Sequence, residues 1–219
     1  MRVKTDAKRK AILEAAGAVF RDKGLAGAGM TDIAARVGGS KATLYRYFSS
    51  KDELFLAVML GDVLDHAQAV FDALTPSGDL RRTLERFGAR LLKLTLSGEA
   101  LAARRMSIAE GSRSGIGQRL YERGPRLVWA KMADFLEGEA KAGRLRAEDP
   151  WRAAMHLRGL LEADLINRAL IGAEVDSRPA SLRRYAAEAV EVFLRAYAQP
   201  PPASARDTPP STGIVAPTT

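Results

Sequence analysis

The chain of 219 residues contains no cysteine. That excludes a disulfide framework and a thiolate metal site, and agrees with a reducing compartment. Its two histidines, His66 and His156, stand 90 positions apart with no carboxylate pattern suggesting a metal centre. No uninterrupted apolar run approaches the roughly 20 residues that a membrane-spanning helix requires. The N-terminus MRVKTDAKRK leads into a polar, charged helix without an apolar signal core. Walker-type loops and nucleophile elbows are missing. The glycine cluster from Gly111 to Gly117 lacks a preceding strand and reads as a flexible loop. These absences predict a soluble, cytoplasmic protein that is not an enzyme and has no cofactor, metal or membrane partner.

What is present is basic charge, and it is unevenly placed. The whole chain carries +8, and hydrophobic residues at 47% argue for a folded protein. Residues 1–51 hold 11 Lys and Arg against 4 Asp and Glu, which is +7. The remaining 168 residues hold 23 against 22, which is +1. Basic charge confined to one segment is the electrostatic footprint of a nucleic-acid face.

That segment contains MTDIAARVGGSKATLYRYF, Met30 to Phe48. Ile33, Ala34 and Val37 share one helical stripe, Val37-Gly38-Gly39 interrupts it, and Ser40 opens a second helix holding Leu44 and Phe48 four residues apart. Two helices joined by a short glycine turn make a helix-turn-helix, whose second helix enters the DNA major groove. Here that helix is small, basic and aromatic.

The rest reads as helical throughout, so the fold class is all-α. Helix 1 is expected over 6–23, ending at Lys23-Gly24, and Ser50-Lys51-Asp52-Glu53 is a capping box opening a helix to about Leu74. Thr75-Pro76-Ser77-Gly78 breaks the chain. Helices then follow over about 79–97 and 99–112, and as a pair around Gly124-Pro125 reaching Lys141. Asp149-Pro150 caps a helix to about Ile171, and the last runs from Pro179 to Gln199. Six of the ten prolines lie beyond residue 199, in a segment too poor in apolar residues to order itself. The expected organisation is a helix-turn-helix domain over 1–50, a connecting helix over 51–74, a ligand-binding and dimerisation domain over 75–199, and a disordered tail over 200–219.

Residues 6–55 resemble the DNA-binding domain of the tetracycline-repressor (TetR) family. AILEAAGAVFRDKG matches its first helix, DIAARVG its second, SKATLYRYF its recognition helix and SKDELF the start of its fourth. Residues 75–198 resemble its helical ligand-binding and dimerisation domain, through AGRLRAEDPWRAA and AVEVFLRAY. Two positions depart from the family pattern. Gly29 stands where the family usually has a Ser or Thr cap, so helix 2 starts either at Gly29 or two residues later with Thr31 as its cap. Gly39 replaces a common valine in the turn.

The candidate DNA-binding set is Thr31, Ser40, Lys41, Ala42, Thr43, Tyr45, Arg46, Tyr47 and Lys51. Lys41, at the helix start, can reach a base edge or a phosphate, and Thr43 a phosphate or a thymine methyl. Arg46 is a groove or backbone candidate, with a solvated surface charge as the alternative reading. The resemblance implies phosphate contacts for Tyr45 and Tyr47 through their hydroxyls, and for Lys51 together with its backbone amide. Leu44, Phe48, Ile33 and Phe20 are read as core, and Arg2, Lys4, Lys8, Arg9 and Lys10 as a basic arm or, more simply, a solvated end.

One short recognition helix reads few base pairs, so such proteins bind palindromic sites as dimers. The helices at 150–171 and 179–198 carry apolar residues on more than one stripe, which suits packing both inward and against a second copy. In the family they form a four-helix bundle across a two-fold axis. The resemblance also implies a small-molecule effector that releases DNA by favouring a poorly fitting state. Candidate pocket residues are Phe87, Met106, Tyr121, Trp129, Met132, His156 and Asp164, against a simpler reading of most as ordinary core and of His156 as a hydrogen-bonded or surface side chain. The expected function is sequence-specific transcriptional regulation, with repression implied by the resemblance. The competing reading is a basic protein that binds nucleic acid without sequence preference. It explains the charge but not a compact turn motif joined to a large neutral helical domain.

Overall fold

A computed structural model describes residues 2–72, 74, 79–112 and 115–199, with side chains described except at 2–5 and 62–69. The break expected at Thr75–Gly78 and the tail from Pro200 lie outside the described residues, as does the side chain of His66. Eleven α-helices are formed among the described residues: α1 (Arg2–Gly27), α2 (Met30–Val37), α3 (Lys41–Tyr47), α4 (Lys51–Phe71), α5 (Leu80–Thr95), α6 (Gly98–Gly111), α7 (Ile116–Arg123), α8 (Pro125–Lys141), α9 (Pro150–Glu162), α10 (Leu165–Leu170) and α11 (Pro179–Tyr197).

Several boundaries fall where local chemistry places them. Asp79 accepts from the Arg82 amide at 3.1 Å, and Asp149 accepts from the Arg152 amide at 2.9 Å. Each is an N-cap that satisfies an amide without an intrahelical partner. Ser50 accepts from the Glu53 amide at 3.1 Å, half of the expected box. The Glu53 carboxylate is directed instead to Arg119 at 3.1 Å and Arg123 at 2.8 Å on α7.

Two expectations about helix length need correction. The helix expected from Pro150 to Ile171 is divided at Ala163 and Asp164 into α9 and α10. Neither Pro nor Gly signals that division. Helix 1 does break at Gly24, with φ 67° and ψ 174°, yet one further turn follows to Gly27. The backbone there is in a conformation that glycine adopts without penalty.

Two cores organise the molecule. The larger draws on the end of α4 with Val70 and Phe71, on α5 with Leu84, Phe87 and Leu92, and on α8, α9 and α11. The smaller holds Ile12, Phe20, Ile33, Leu44, Phe48, Leu54 and Phe55, with the Phe20 and Phe55 rings edge to face at 5.2 Å. It also takes in Ile116 and Leu120 of α7, which are 1% and 7% exposed. The core of the N-terminal head therefore crosses the boundary expected at residue 50, because the first turns of α4, through Met59, and a helix from the second half of the chain complete it. A short antiparallel pairing closes the C-terminal end, where Arg146 donates its amide to the Tyr197 carbonyl at 2.8 Å.

Candidate nucleic-acid interface

The head's outer surface is set by how α2 and α3 are capped and joined. Gly29 is the N-cap of α2, with extended backbone, and its N–H is held by the Asp32 carboxylate at 3.1 Å. This overturns Thr31 as the cap, which instead lies exposed in the first turn. Asp32 also pairs with Lys23 at 3.0 Å. The Lys23 hydrogen bond first, and then the Gly29 N–H, hold its carboxyl below the usual carboxylate range. Gly38 ends α2 in the left-handed region at φ 66°, the conformation a tight helix-to-helix turn needs. Gly39 donates to the Ala34 carbonyl at 3.0 Å, and Lys8 reaches the Val37 carbonyl at 3.4 Å.

Ser40 starts α3 by accepting from the Thr43 amide at 3.1 Å, and the two hydroxyls lie 3.0 Å apart. With Leu44 at 1% and Phe48 at 6% exposure on the inner face, the outer face is left to Lys41, Ala42, Tyr45 and Arg46, all exposed. Tyr45 keeps 49% of its surface accessible. Among the described residues no ion pair engages Lys41 or Arg46. Tyr47 and Thr43 are half-buried, and Tyr47 packs beside the head's core. Arg9 lies over the Phe48 ring at 5.4 Å, so this residue of the expected basic arm packs on the head rather than extending freely into solvent.

Lys51 departs from its expected role. Its ammonium donates to the carbonyls of Leu25 at 2.7 Å and Ala28 at 2.9 Å, inside the connection between α1 and α2. Those bonds direct the charge inward, toward the turn that precedes α2. Residues that sequence reasoning did not single out include Asp32, which holds the Gly29 amide, and Glu110, whose Oε1 accepts from the Leu25 N–H at 3.3 Å in a buried bond. Arg119 and Arg123 tie α7 to Asp52 and Glu53.

The seven expected effector residues do not line one pocket. Phe87, Trp129 and Met132 meet in the larger core, with the Phe87 and Trp129 rings 6.2 Å apart. Met106 packs against the head's core instead. Tyr121 is 37% exposed. Asp164 is exposed and paired with Arg168 at 3.0 Å. His156 is exposed and bonded through Nδ1 to the Tyr197 hydroxyl at 2.6 Å, in line with the simpler reading of it. The scatter has a physical cause: these residues share chemical type, but their helices turn them toward two different cores and toward solvent. A surface depression of about 340 Å³ between the head and α7 is lined by Tyr47, Phe48, Glu53, Leu60 and Arg123, among others, and by none of the seven.

Comparison with known proteins accords with this geometry. Residues 12–58 match the family described as bacterial regulatory proteins, tetR family, and residues 82–199 match the AefR-like transcriptional repressor C-terminal domain. The chain is 45% identical over 83 residues to the HTH-type transcriptional activator FasR of Mycolicibacterium smegmatis, covering 38% of each protein. It is 35% identical over 92 residues to the HTH-type transcriptional repressor Rv3405c of Mycobacterium tuberculosis, covering 40% of this chain and 46% of that one. The match thus spans less than half the length of these curated relatives. Among solved structures, a TetR-family regulator from Mesorhizobium loti superposes with a TM-score of 0.77 at 30% identity, over 89% of this chain and 98% of that one. The flavonoid-responsive regulator FrrA superposes with a TM-score of 0.75 at 27% identity, over 88% and 98%.

Proposed function

The chain belongs to the TetR family of bacterial transcriptional regulators, and from that premise we propose that it represses transcription as a homodimer on a palindromic operator and leaves DNA when a small organic effector binds. As a member of this family it is a DNA-binding transcriptional regulator. The observation that carries the finer reading is the outer face of α3, where Lys41, Ala42, Tyr45 and Arg46 stand exposed while Leu44 and Phe48 anchor the helix in the core. A helix so held presents its side chains at a fixed register, which base-edge contacts require. Ser40, Thr43, Tyr47 and the amide of Lys51 border that face and suit phosphate contacts, with Thr31 at its edge.

Dimerisation is supported by apolar side chains left on the outer stripes of the last helices. Val192 of α11 is 51% exposed, and Tyr185, Met155 and Leu160 are half-buried, while Leu182, Ala186, Val190 and Phe193 turn inward. Effector response is supported by the likeness to a flavonoid-responsive regulator. Phe87, Trp129 and Met132 are the part of the expected pocket that the fold brings together. An effector acts there only by preferring a state in which the heads fit DNA poorly.

The test is selection of fragmented genomic DNA by the purified protein at near-physiological salt, followed by sequencing. Enrichment of a palindromic site beside a promoter is the expected result. Uniform recovery of all fragments would instead favour a basic protein without sequence preference.

A further inference from the structure

The turn after Gly24 is capped at both ends by side chains that come from elsewhere in the chain. Gly24 breaks α1 at φ 67°, and the Ala28 amide then bonds back to the Gly24 carbonyl at 3.1 Å, so residues 25–28 form one separate helical turn. A turn that begins at glycine has no side chain of its own to hold its first amide. Glu110, at the end of α6, supplies the acceptor: its Oε1 takes the Leu25 N–H at 3.3 Å, and Glu110 is only 9% exposed. A Cβ added at Gly24 would lie 3.1 Å from the same oxygen, so the fit is close. At the other end the Lys51 ammonium takes the carbonyls of Leu25 and Ala28. Negative charge at the amide end and positive charge at the carbonyl end both complement the dipole of the turn.

Glu110 differs from the other ties between the head and the rest of the molecule. The pairs of Arg119 and Arg123 with Asp52 and Glu53 keep about a third to a half of their side-chain surface in solvent, where such pairs hold geometry weakly. The Glu110 bond is buried, and Met106 and Ala103 of the same helix pack on the head's core beside it. From the turn it holds, the path to the reading face is short. The chain passes directly into Gly29, whose amide Asp32 holds, then into α2 and the Gly38 turn that carries α3. The head is packed on α4 and on Ile116 and Leu120 of α7, and the α6 carboxylate adds a directional bond at the turn that leads into α2.

We propose that Glu110 is a positioning residue that orients the recognition helices within the dimer and thereby sets the half-site spacing the protein accepts; this rests on the reading above that α3 reads DNA. Half-sites one helical turn apart demand that two heads be held at a matching separation. A loosened head still contacts its half-site but tolerates a wider range of spacings.

The experiment measures binding of the full-length protein to its selected operator and to duplexes in which the half-site separation is changed by one or two base pairs. Wild type should discriminate against the altered spacings by about tenfold or more, the scale of a lost base contact. In Glu110→Ala that discrimination should fall to within about threefold, and the Leu25 amide should exchange with solvent faster. Glu110→Gln retains an acceptor oxygen and should keep the wild-type spacing profile. Glu110→Asp, shorter by one methylene, should give an intermediate profile and serves if the alanine variant does not fold. A uniform loss of affinity with unchanged spacing ratios in the alanine or aspartate variant would reduce Glu110 to a stability role and overturn the assignment. Wild-type protein that binds the operator and a scrambled duplex equally would remove the reading of α3 as well, whereas a spacing preference that survives in the variants removes this assignment alone.

Discussion

Glu110 and Lys51 hold the same residue from opposite sides: the carboxylate accepts the Leu25 N–H at 3.3 Å and the ammonium donates to the Leu25 carbonyl at 2.7 Å. One comes from α6 and the other from the first turn of α4, so the connection between the first two head helices is set by two elements outside it. A backbone that leaves regular helix inside a packed region must find partners for its amides and carbonyls. Here charged side chains provide them.

Lys51→Met keeps most of the side-chain stem and removes the donor. It should lower the free energy of unfolding by about 1–3 kcal/mol, since two carbonyls lose a charged partner. Denaturant titration measures that loss. A lysine whose ammonium neutralised a phosphate would, on removal, reduce the salt dependence of binding by about one unit of slope. The expectation for this variant is an unchanged slope at reduced stability.

The double variant Lys41→Ala, Tyr45→Phe alters only exposed atoms of α3. Operator affinity should fall by about tenfold or more at fixed salt. Sedimentation should show the same oligomeric state as wild type, because neither residue enters a core. Undiminished affinity would sink the assignment of α3 as the reading helix.

Two glycines in helices should respond to alanine in opposite directions. A Cβ at Gly88 would meet Leu161 Cδ2 at 2.8 Å and Ala186 Cβ at 3.1 Å, where α5 packs on α9 and α11. Overpacking there costs about 1–3 kcal/mol, more than the gain in helix propensity. Gly138, exposed in α8, has nothing within 4 Å of an added Cβ. Gly138→Ala should stabilise by up to about 1 kcal/mol. Thermal melts should therefore move down for the first and up for the second.

Asp32 gives a pH dependence with a definite sign. Its folded-state pKa is lowered, chiefly by the hydrogen bond from Lys23 and then by the Gly29 N–H. A lowered carboxyl pKa stabilises the fold wherever the unfolded chain would also be ionised, above about pH 4, and the contribution fades as pH falls through the folded value. Wild type should exceed Asp32→Asn in stability at neutral pH. The difference should shrink below about pH 4 and vanish once the folded carboxyl is itself protonated. A gap independent of pH would show that charge at Asp32 contributes nothing.

The amino-acid sequence by itself determined the features that depend on neighbours within a few positions. The glycine turn at Gly38, Ser40 at the start of α3, the cap Asp149, and the inward set Ile33, Leu44 and Phe48 follow from helical period, from glycine's place between two helices and from which side chains satisfy open amides. The split of α9 from α10 was not legible, because the residues around Ala163 and Asp164 include neither Pro nor Gly. Only the tertiary structure decided that Lys51 turns inward, that Glu110 reaches Leu25 across 85 positions, that Ile116 and Leu120 complete the head's core, and that the expected effector residues separate. A lysine in a first helical turn and a glutamate before a glycine look solvated to any local rule. Their partners are backbone groups exposed by a break elsewhere in the chain, and helix packing alone brings the two together.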